Sequence, residues 1–244
     1  MTLYNENYLL DKKVKIYQPD SGYKASSDAV WLAAAVAKVK QGDAVLDIGA
    51  GTGAVSLCLA ERFKSCGISI TGVELQPLLA EAANKSAEDN GFDFVRFITG
   101  NIFETDLPPC SFAHIITNPP YSLKDMPSPN PSKAAAHNFQ FNDLEKWIDI
   151  CIRLLRPQGH FYMINRAEAL DDILAAIHSR LGGIEIFPLY SKSGQKAKRV
   201  IVRAQKDSKT PLILHSGILV HNEDGSYSEK ADKILRKGQA IQIY

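Results

Sequence analysis

An α/β fold of the Rossmann-like, doubly wound kind is what this sequence predicts: a mainly parallel seven-stranded sheet with helices on both faces and an antiparallel pair at one edge. Three observations carry that expectation. From residue 44 onward, short β-rich runs alternate with helical stretches, the pattern of parallel strands joined by crossover helices. The first run, Ala44 to Ile48, empties into a glycine-rich turn followed by helical spacing. Near the end, Ile184 to Tyr190 and Lys198 to Gln205 are separated by a loop alone, which points to an antiparallel pair.

Each element has its own signal. Ahead of the first core strand, Ser27 or Asp28 is a natural N-cap for a helix running through Ala29 to Ala35. Ala54 to Phe63 resumes as a helix after the turn, Ser69 to Glu74 is a strand, and Gln76 to Asn90 is a helix with small residues on one face. Phe94 to Thr99 and His114 to Thr117 are the next strands. A polar, Pro-rich loop from Ser122 to Pro131 precedes a helix over Asp143 to Leu155. Beyond Pro157 and Gly159, His160 to Asn165 is a strand and Leu170 to Leu181 a helix. No repeat or linker divides the chain, so one domain is expected: a capping segment over 1–43, a core over 44–206, and a hairpin and helix extension over 207–244.

Composition narrows the classes. The 244 residues, 45% hydrophobic and 23% charged, suffice for a full core. The longest apolar stretch, Ala29 to Ala37, is far shorter than the roughly 20 residues of a spanning helix. Met1 to Asp20 is polar and lacks the apolar core of a cleavable leader, so a cytoplasmic protein without membrane contact is expected. Cys58, Cys66, Cys110 and Cys151 have no C-x-x-C spacing, which predicts structural thiols and no metal. A net charge of +1 gives no whole-molecule attraction to nucleic acid. A local patch could supply it: Lys192, Lys196, Lys198, Arg199, Arg203, Lys206 and Lys209 stand against the single acid Asp207. A solvated loop and outer strand face explain that run equally well.

In a doubly wound sheet, ligands bind at the carboxyl ends of the strands where the order reverses, so motifs at strand ends carry the chemistry. After Val45 and Leu46 comes Asp47, then Gly49, Ala50, Gly51 and Gly53. Glycine there lets the backbone turn sharply and lie against a ligand whose space a side chain would occupy. Asp47 suits a cationic amino acid group and would repel the pyrophosphate that the dinucleotide fingerprint G-x-G-x-x-G serves. Glu74, followed by Leu75, ends the second core strand, where a carboxylate can accept both hydroxyls of a ribose. Asn101 and Ile102 end the third, where an amide can reach a purine ring and an apolar neighbour can cover it. In this order the set resembles the class I S-adenosylmethionine methyltransferases, whose members usually carry Asp where this chain has Asn101. The resemblance implies S-adenosyl-L-methionine as cofactor.

The fourth strand ends in Asn118-Pro119-Pro120-Tyr121. Adjacent prolines fix φ and present their carbonyls rigidly. An aromatic amine is a weak nucleophile. If the Asn118 side-chain oxygen and the Pro119 carbonyl accept its two hydrogens, the nitrogen is aligned with a methyl donor and its growing positive charge is stabilised, with no strong base required. Tyr121 can stack on a flat substrate. This tetrad resembles the N-P-P-Y motif of the amino-methylating branch, which includes adenine N6, guanine N2 and protein glutamine enzymes.

Further motifs resemble one family, the bacterial methyltransferases of the adenosine after the anticodon of a valine tRNA. They are Tyr23 to Ala29, Ala135-Ala136-His137, Ile164 to Glu168, Pro188-Leu189, Arg199 to Arg203 and Leu219 to Tyr227. The resemblance implies that Lys24, Ser27 and Asp28 face the cofactor's amino acid end. It also implies an RNA partner, which Lys124, Lys133, Lys192, Lys196, Lys198 and Arg199 would meet at phosphates. A glutamine methyltransferase would need a recruiting domain ahead of the glycine-rich strand, for which 1–43 is short. A monomer or weak dimer fits equally.

Overall fold

Side chains on the core strands alternate between two apolar layers, the period-two pattern of a sheet buried on both faces. Val45, Ile116, Tyr162, Ile164 and Ile201 enter one layer, and Leu46, Ile48, Ile115, Phe161, Met163 and Val202 the other. The computed structural model of the chain describes residues 4–20, 24–120 and 141–242, and the side chains of all of these except 141–143.

The core strands are β3 (Ala44–Ile48), β4 (Ser69–Glu74), β5 (Val95–Thr99), β6 (Phe112–Thr117), β7 (Leu155–Arg166), β8 (Leu181–Tyr190) and β9 (Ala197–Lys206). With the two-residue strands β10 (Ile213–Leu214) and β11 (Ile218–Leu219) they form a nine-stranded sheet. Its order is β10-β8-β9-β7-β6-β3-β4-β5, with β11 also pairing β8. Strands β3 to β7 are mutually parallel, and β9 is antiparallel to both β7 and β8. The antiparallel pair is therefore present, but β9 is slotted inside β8, and the seven expected strands are extended at that edge by β10 and β11. The order reverses at β3, which has β4 on one side and β6 on the other, opening a crevice at the carboxyl ends of β3 and β6.

Helices α1 (Ser27–Ala35), α2 (Ala54–Phe63), α3 (Pro77–Asp89) and α6 (Glu229–Lys237) contribute to the first layer. Helices α4 (Phe141–Leu154) and α5 (Leu170–Ile177) contribute to the second. Helix α1 is apolar all round because it is buried all round: every residue from Ala29 to Ala35 is inside. Its N-cap is Ser26, whose hydroxyl accepts from the Asp28 amide at 3.2 Å, one residue ahead of Ser27 and two ahead of Asp28, the expected caps. Helix α5 ends at Ile177, earlier than Leu181, because Leu181 already opens β8.

The first strands, unannounced in the sequence, are a hairpin of β1 (Tyr4–Leu9) and β2 (Val14–Pro19). Val14 and Ile16 are fully buried. Across from them, α3 supplies Ser86 and is followed by Asn90, which bond the Tyr17 amide and the Lys15 backbone respectively.

Candidate active site at the carboxyl ends of the strands

The glycine-rich turn begins with Gly49 at φ +74°, Gly51 at +57° and Gly53 at +81°, all left-handed values that favour glycine. The amides of Gly49 and Ala50 donate to the Val73 carbonyl at 2.9 and 3.1 Å, pinning the turn to the end of β4. A Cβ on Gly53 would lie 2.6 Å from the Phe97 ring, and one on Gly49 would lie 3.3 Å from the Trp147 ring. At Gly53 the protein's own Phe97 ring leaves no room for a side chain, where the sequence suggested a ligand's bulk; at Gly49 the Trp147 ring makes the fit tight and the left-handed backbone favours glycine. Phe97 also lies over Gly72, where a Cβ would sit 2.3 Å away.

Two carboxyls are buried around this turn. Asp47, 1% exposed, accepts from the Ser56 hydroxyl at 2.7 Å. Burial pushes its pKa up to about 7, against the Ser56 bonds and with the help of the Glu74 charge. Glu74 accepts from the Gly51 amide at 2.8 Å through one oxygen and from the Gln76 amide at 2.9 Å through the other. Burial raises its pKa as well, although those amides pull it down. The Leu75 amide and the Gln76 side chain bond to the same carboxylate. Leu75, next to it, is exposed, as is Phe103. Within the turn, the buried Thr52 hydroxyl has no hydrogen-bond partner among the described residues.

This donor set fits S-adenosyl-L-methionine. A cationic ammonium would offset the repulsion between two buried acids, and the Glu74 carboxylate, an acceptor-only group, suits ribose hydroxyls, which can donate to it. Leu75 and Phe103 offer apolar cover for a purine.

Asn101 is tied into its own loop. Its side-chain oxygen accepts from the Phe103 amide at 3.1 Å and its amide nitrogen donates to Glu104 at 3.0 Å. Ile102 is a core residue in the second layer, so Phe103 is the apolar group presented outward there.

Thr117 closes β6 opposite Ile48 of β3. Its buried hydroxyl donates to the Ile48 carbonyl at 2.8 Å and accepts from the Trp147 indole N–H at 2.9 Å. Asn118, Pro119 and Pro120 follow directly: Pro119 is buried, and Asn118 and Pro120 are partly exposed. Tyr121, Lys124, Lys133 and the stretch through His137 lie outside the described residues.

The remaining expected residues gather at the same end of the sheet. Asp28 forms a 2.9 Å ion pair with Arg199, so a residue expected at the cofactor and one expected at RNA meet each other. Ser27 and Lys24 are exposed beside them in sequence. Arg199 pairs with Arg166 at the carboxyl end of β7, which puts the exposed Lys196 and Lys198 at that end too. Lys192 reaches the Glu223 carbonyl at 3.1 Å. The rest of the basic run is used internally or lies elsewhere. Arg203 pairs with Glu185 at 2.8 Å, and Lys206 caps α4 through the Ile152 and Leu155 carbonyls at 2.9 and 2.7 Å.

A family model described as a methyltransferase domain matches residues 39–208, from just before β3 to the end of β9. The chain belongs to the methyltransferase family. This methyltransferase is 31% identical over 240 residues to a tRNA1(Val) (adenine(37)-N6)-methyltransferase of Shewanella baltica, covering 92% of this chain and 95% of the relative. It is 29% identical over 199 residues to a protein of the same name from Porphyromonas gingivalis, covering 78% and 77%. Among solved structures, it resembles a predicted O-methyltransferase of Agrobacterium tumefaciens with a TM-score of 0.72 and 27% identity, covering 88% of this chain and 98% of that one. It shares the fold of M. jannaschii TYW2 in complex with AdoMet, with a TM-score of 0.59 at 12% identity, covering 84% and 86%.

Sequence reasoning missed Ser56, Phe97, Thr117 and Trp147. Ser56 stands three residues past Gly53, on the first turn of α2, and so could have been paired with Asp47. The other three owe their roles to contacts between distant elements, which leave no local pattern. Among the described residues no helix is long and apolar enough to cross a membrane, and no three His, Cys, Asp or Glu side chains are grouped to hold a metal.

Proposed function

We propose that this methyltransferase uses S-adenosyl-L-methionine to methylate the exocyclic N6 amine of an adenine in RNA, in a tRNA next to the anticodon. The observation that carries the reading is the position of Asn118-Pro119-Pro120: it leaves a buried strand at the sheet's switch point, one strand away from the turn that holds Asp47. The names of the Shewanella baltica and Porphyromonas gingivalis relatives support the substrate.

The cofactor supplies an electrophilic methyl group. Asp47 and Glu74 hold its charged and hydroxylated parts, together with Gly49, Ala50, Gly51 and Gly53. Leu75 and Phe103 cover the purine, a role that Ile102 leaves to Phe103 because Ile102 is buried. The side-chain oxygen of Asn118 and the Pro119 carbonyl accept the two amine hydrogens, so the nitrogen lone pair is turned to the methyl group. Catalysis then rests on alignment and oriented dipoles, and the methylated nitrogen, now cationic, gives its proton to water without a side-chain base. Tyr121 stacks on the base. The exposed Lys196 and Lys198, with Lys24 and Lys192, meet phosphates, and Asp28 and Arg199 brace that surface.

The test is incubation with labelled cofactor and total RNA or protein from cells lacking the enzyme, followed by nucleoside and amino acid analysis. Label in N6-methyladenosine is expected. Label in N2-methylguanosine or in glutamine overturns the substrate, and label in a ribose or carboxyl oxygen overturns amine transfer altogether. In the same assay Asn118→Ala loses transfer while calorimetry shows cofactor affinity nearly unchanged. Glu74→Ala instead weakens the cofactor, by about 1.5–3 kcal/mol for each hydrogen bond removed from a charged group.

A further inference from the structure

One indole touches all three parts of the site. Trp147 lies on α4, and its N–H donates to the Thr117 hydroxyl at 2.9 Å; that hydroxyl donates onward to the Ile48 carbonyl at 2.8 Å. Its six-membered ring lies against Gly49, so close that a Cβ there would be 3.3 Å from Cζ2 and Cη2. It meets Phe103 edge-on, with ring centroids 6.1 Å apart and planes at 71°. The ring is buried and belongs to the second apolar layer.

Those contacts constrain the strand ends. Ile48 and Thr117 are the last paired residues of β3 and β6, and beyond them the chains diverge into Gly49 and Asn118. Past the last rung of a ladder, main-chain bonds no longer set the spacing. The Trp147–Thr117–Ile48 chain adds one further rung made of side chains, and the indole wedged on Gly49 prevents the turn from moving toward α4. A buried indole N–H and a buried hydroxyl must both be satisfied, so the chain has one stable arrangement.

We infer that Trp147 and Thr117 are positioning residues that set the distance between the amine-holding Asn118 and the glycine-rich turn. Neither residue reaches the substrate in this role; both act through the strand ends they tie together. The inference rests on the reading of the site proposed above, and it concerns alignment, to which transfer is far more sensitive than binding is.

The experiment uses the full chain with Trp147→Phe, Thr117→Val and the double variant. Trp147→Phe keeps an aromatic ring and removes the donor, and Thr117→Val keeps the shape and removes both bonds. Single-turnover transfer to total tRNA should fall about 10- to 100-fold in each, the range expected when reacting groups shift by a fraction of an ångström to 1 Å. In Thr117→Val, which leaves the indole against Gly49 and Phe103, the cofactor dissociation constant by calorimetry should stay within about threefold, because single-turnover alignment is far more sensitive to small shifts than binding is. The double variant should lose less than the product of the two single losses, because both break the Trp147–Thr117 bond while only Trp147→Phe also frees Gly49. Thr117→Ser, which keeps both bonds, should recover most of the rate lost in Thr117→Val.

A readout independent of turnover comes from the unliganded protein. The Trp147 indole N–H, assigned by its loss in Trp147→Phe, should exchange slowly with solvent and should shift and exchange faster in Thr117→Val. An unprotected indole proton overturns the hydrogen-bonded chain. Unchanged transfer rates in an active protein, or rates that fall only in step with cofactor affinity, overturn the positioning role. If the parent transfers no methyl to any RNA or protein amine, the reading of the site fails first and the inference with it.

Discussion

Asp47 holds the strongest titration at the site. With its pKa near 7, it is largely neutral in acid and charged above neutrality. A cationic ligand binds the charged form, so cofactor affinity should rise with pH from 6 to 8, and binding at pH 6 should release a proton. Calorimetry at pH 6 in two buffers of different ionisation enthalpy measures that release directly; Asp47→Asn should show neither the pH dependence nor the released proton. The same carboxyl acts on folding with the sign of a raised acid. The folded, unliganded protein keeps a proton that the unfolded chain gives up near pH 4, so Asp47 withdraws stability as pH climbs from there to about 7. His160 works the other way: burial and the Arg203 charge hold it down to about 4, so its share of stability is lost as pH falls below the ordinary histidine range. The difference in denaturation between parent and Asp47→Asn across pH 5 to 8 isolates the Asp47 share, and a flat difference would show that the carboxyl is ionised throughout.

At the scale of elements, β4 and β5 hold the glycine-rich turn through one ring. Phe97 of β5 fills the space over Gly72 of β4 and reaches Gly53, at the start of α2. Gly72 carries no left-handed backbone, so its requirement is purely spatial. Gly72→Ala should therefore destabilise the fold by about 1–3 kcal/mol, the usual range for overpacking a filled core. It should also weaken the cofactor, since displaced Phe97 pushes on the turn. Thermal unfolding and cofactor titration check the two effects; an unaltered melting temperature would mean that Phe97 has room to move. The hairpin of β1 and β2 plays a comparable part on the far side of α3, where Tyr17 donates to Asp89 at 2.6 Å and Asn90 binds Lys15.

Across the whole molecule, the chain's basic run is divided by the direction of β9. Because β9 runs antiparallel to β7, its first residues lie at the carboxyl end of the parallel strands and its last residues at the amino end, where Lys206 meets the start of β8. Lys196 and Lys198 thus share an end with Asn118, whereas Lys206 is committed to the end of α4 and Lys209 stands at the far end of the sheet. Charge reversal at Lys196 and Lys198 should weaken tRNA binding and flatten its salt dependence, by about 0.7–0.9 in the log–log slope for each phosphate that the protein no longer neutralises. Lys209→Glu should leave both nearly unaltered, and Lys206→Ala should lower stability with little effect on RNA. Filter binding between about 50 and 200 mM salt, the range over which counterion release is readily read, would contradict this if all four sites behaved alike.

The sequence on its face determined the layer architecture, because period-two and helical runs in alternation leave few other ways to bury their apolar sides. It also placed the candidate groups: Asp47, Glu74 and Asn118 each stand at or beside the end of a β-rich run, and no tertiary contact was needed to notice them. The tertiary structure alone decided which neighbours those groups have. That Gly53 yields to Phe97, that Asp28 answers Arg199, that Ile102 turns inward and Phe103 outward, and that Trp147 reaches back to Thr117 all depend on residues far apart along the chain. Local patterns record the face a residue must bury. Its partner is settled only when strand order and register bring two such faces together.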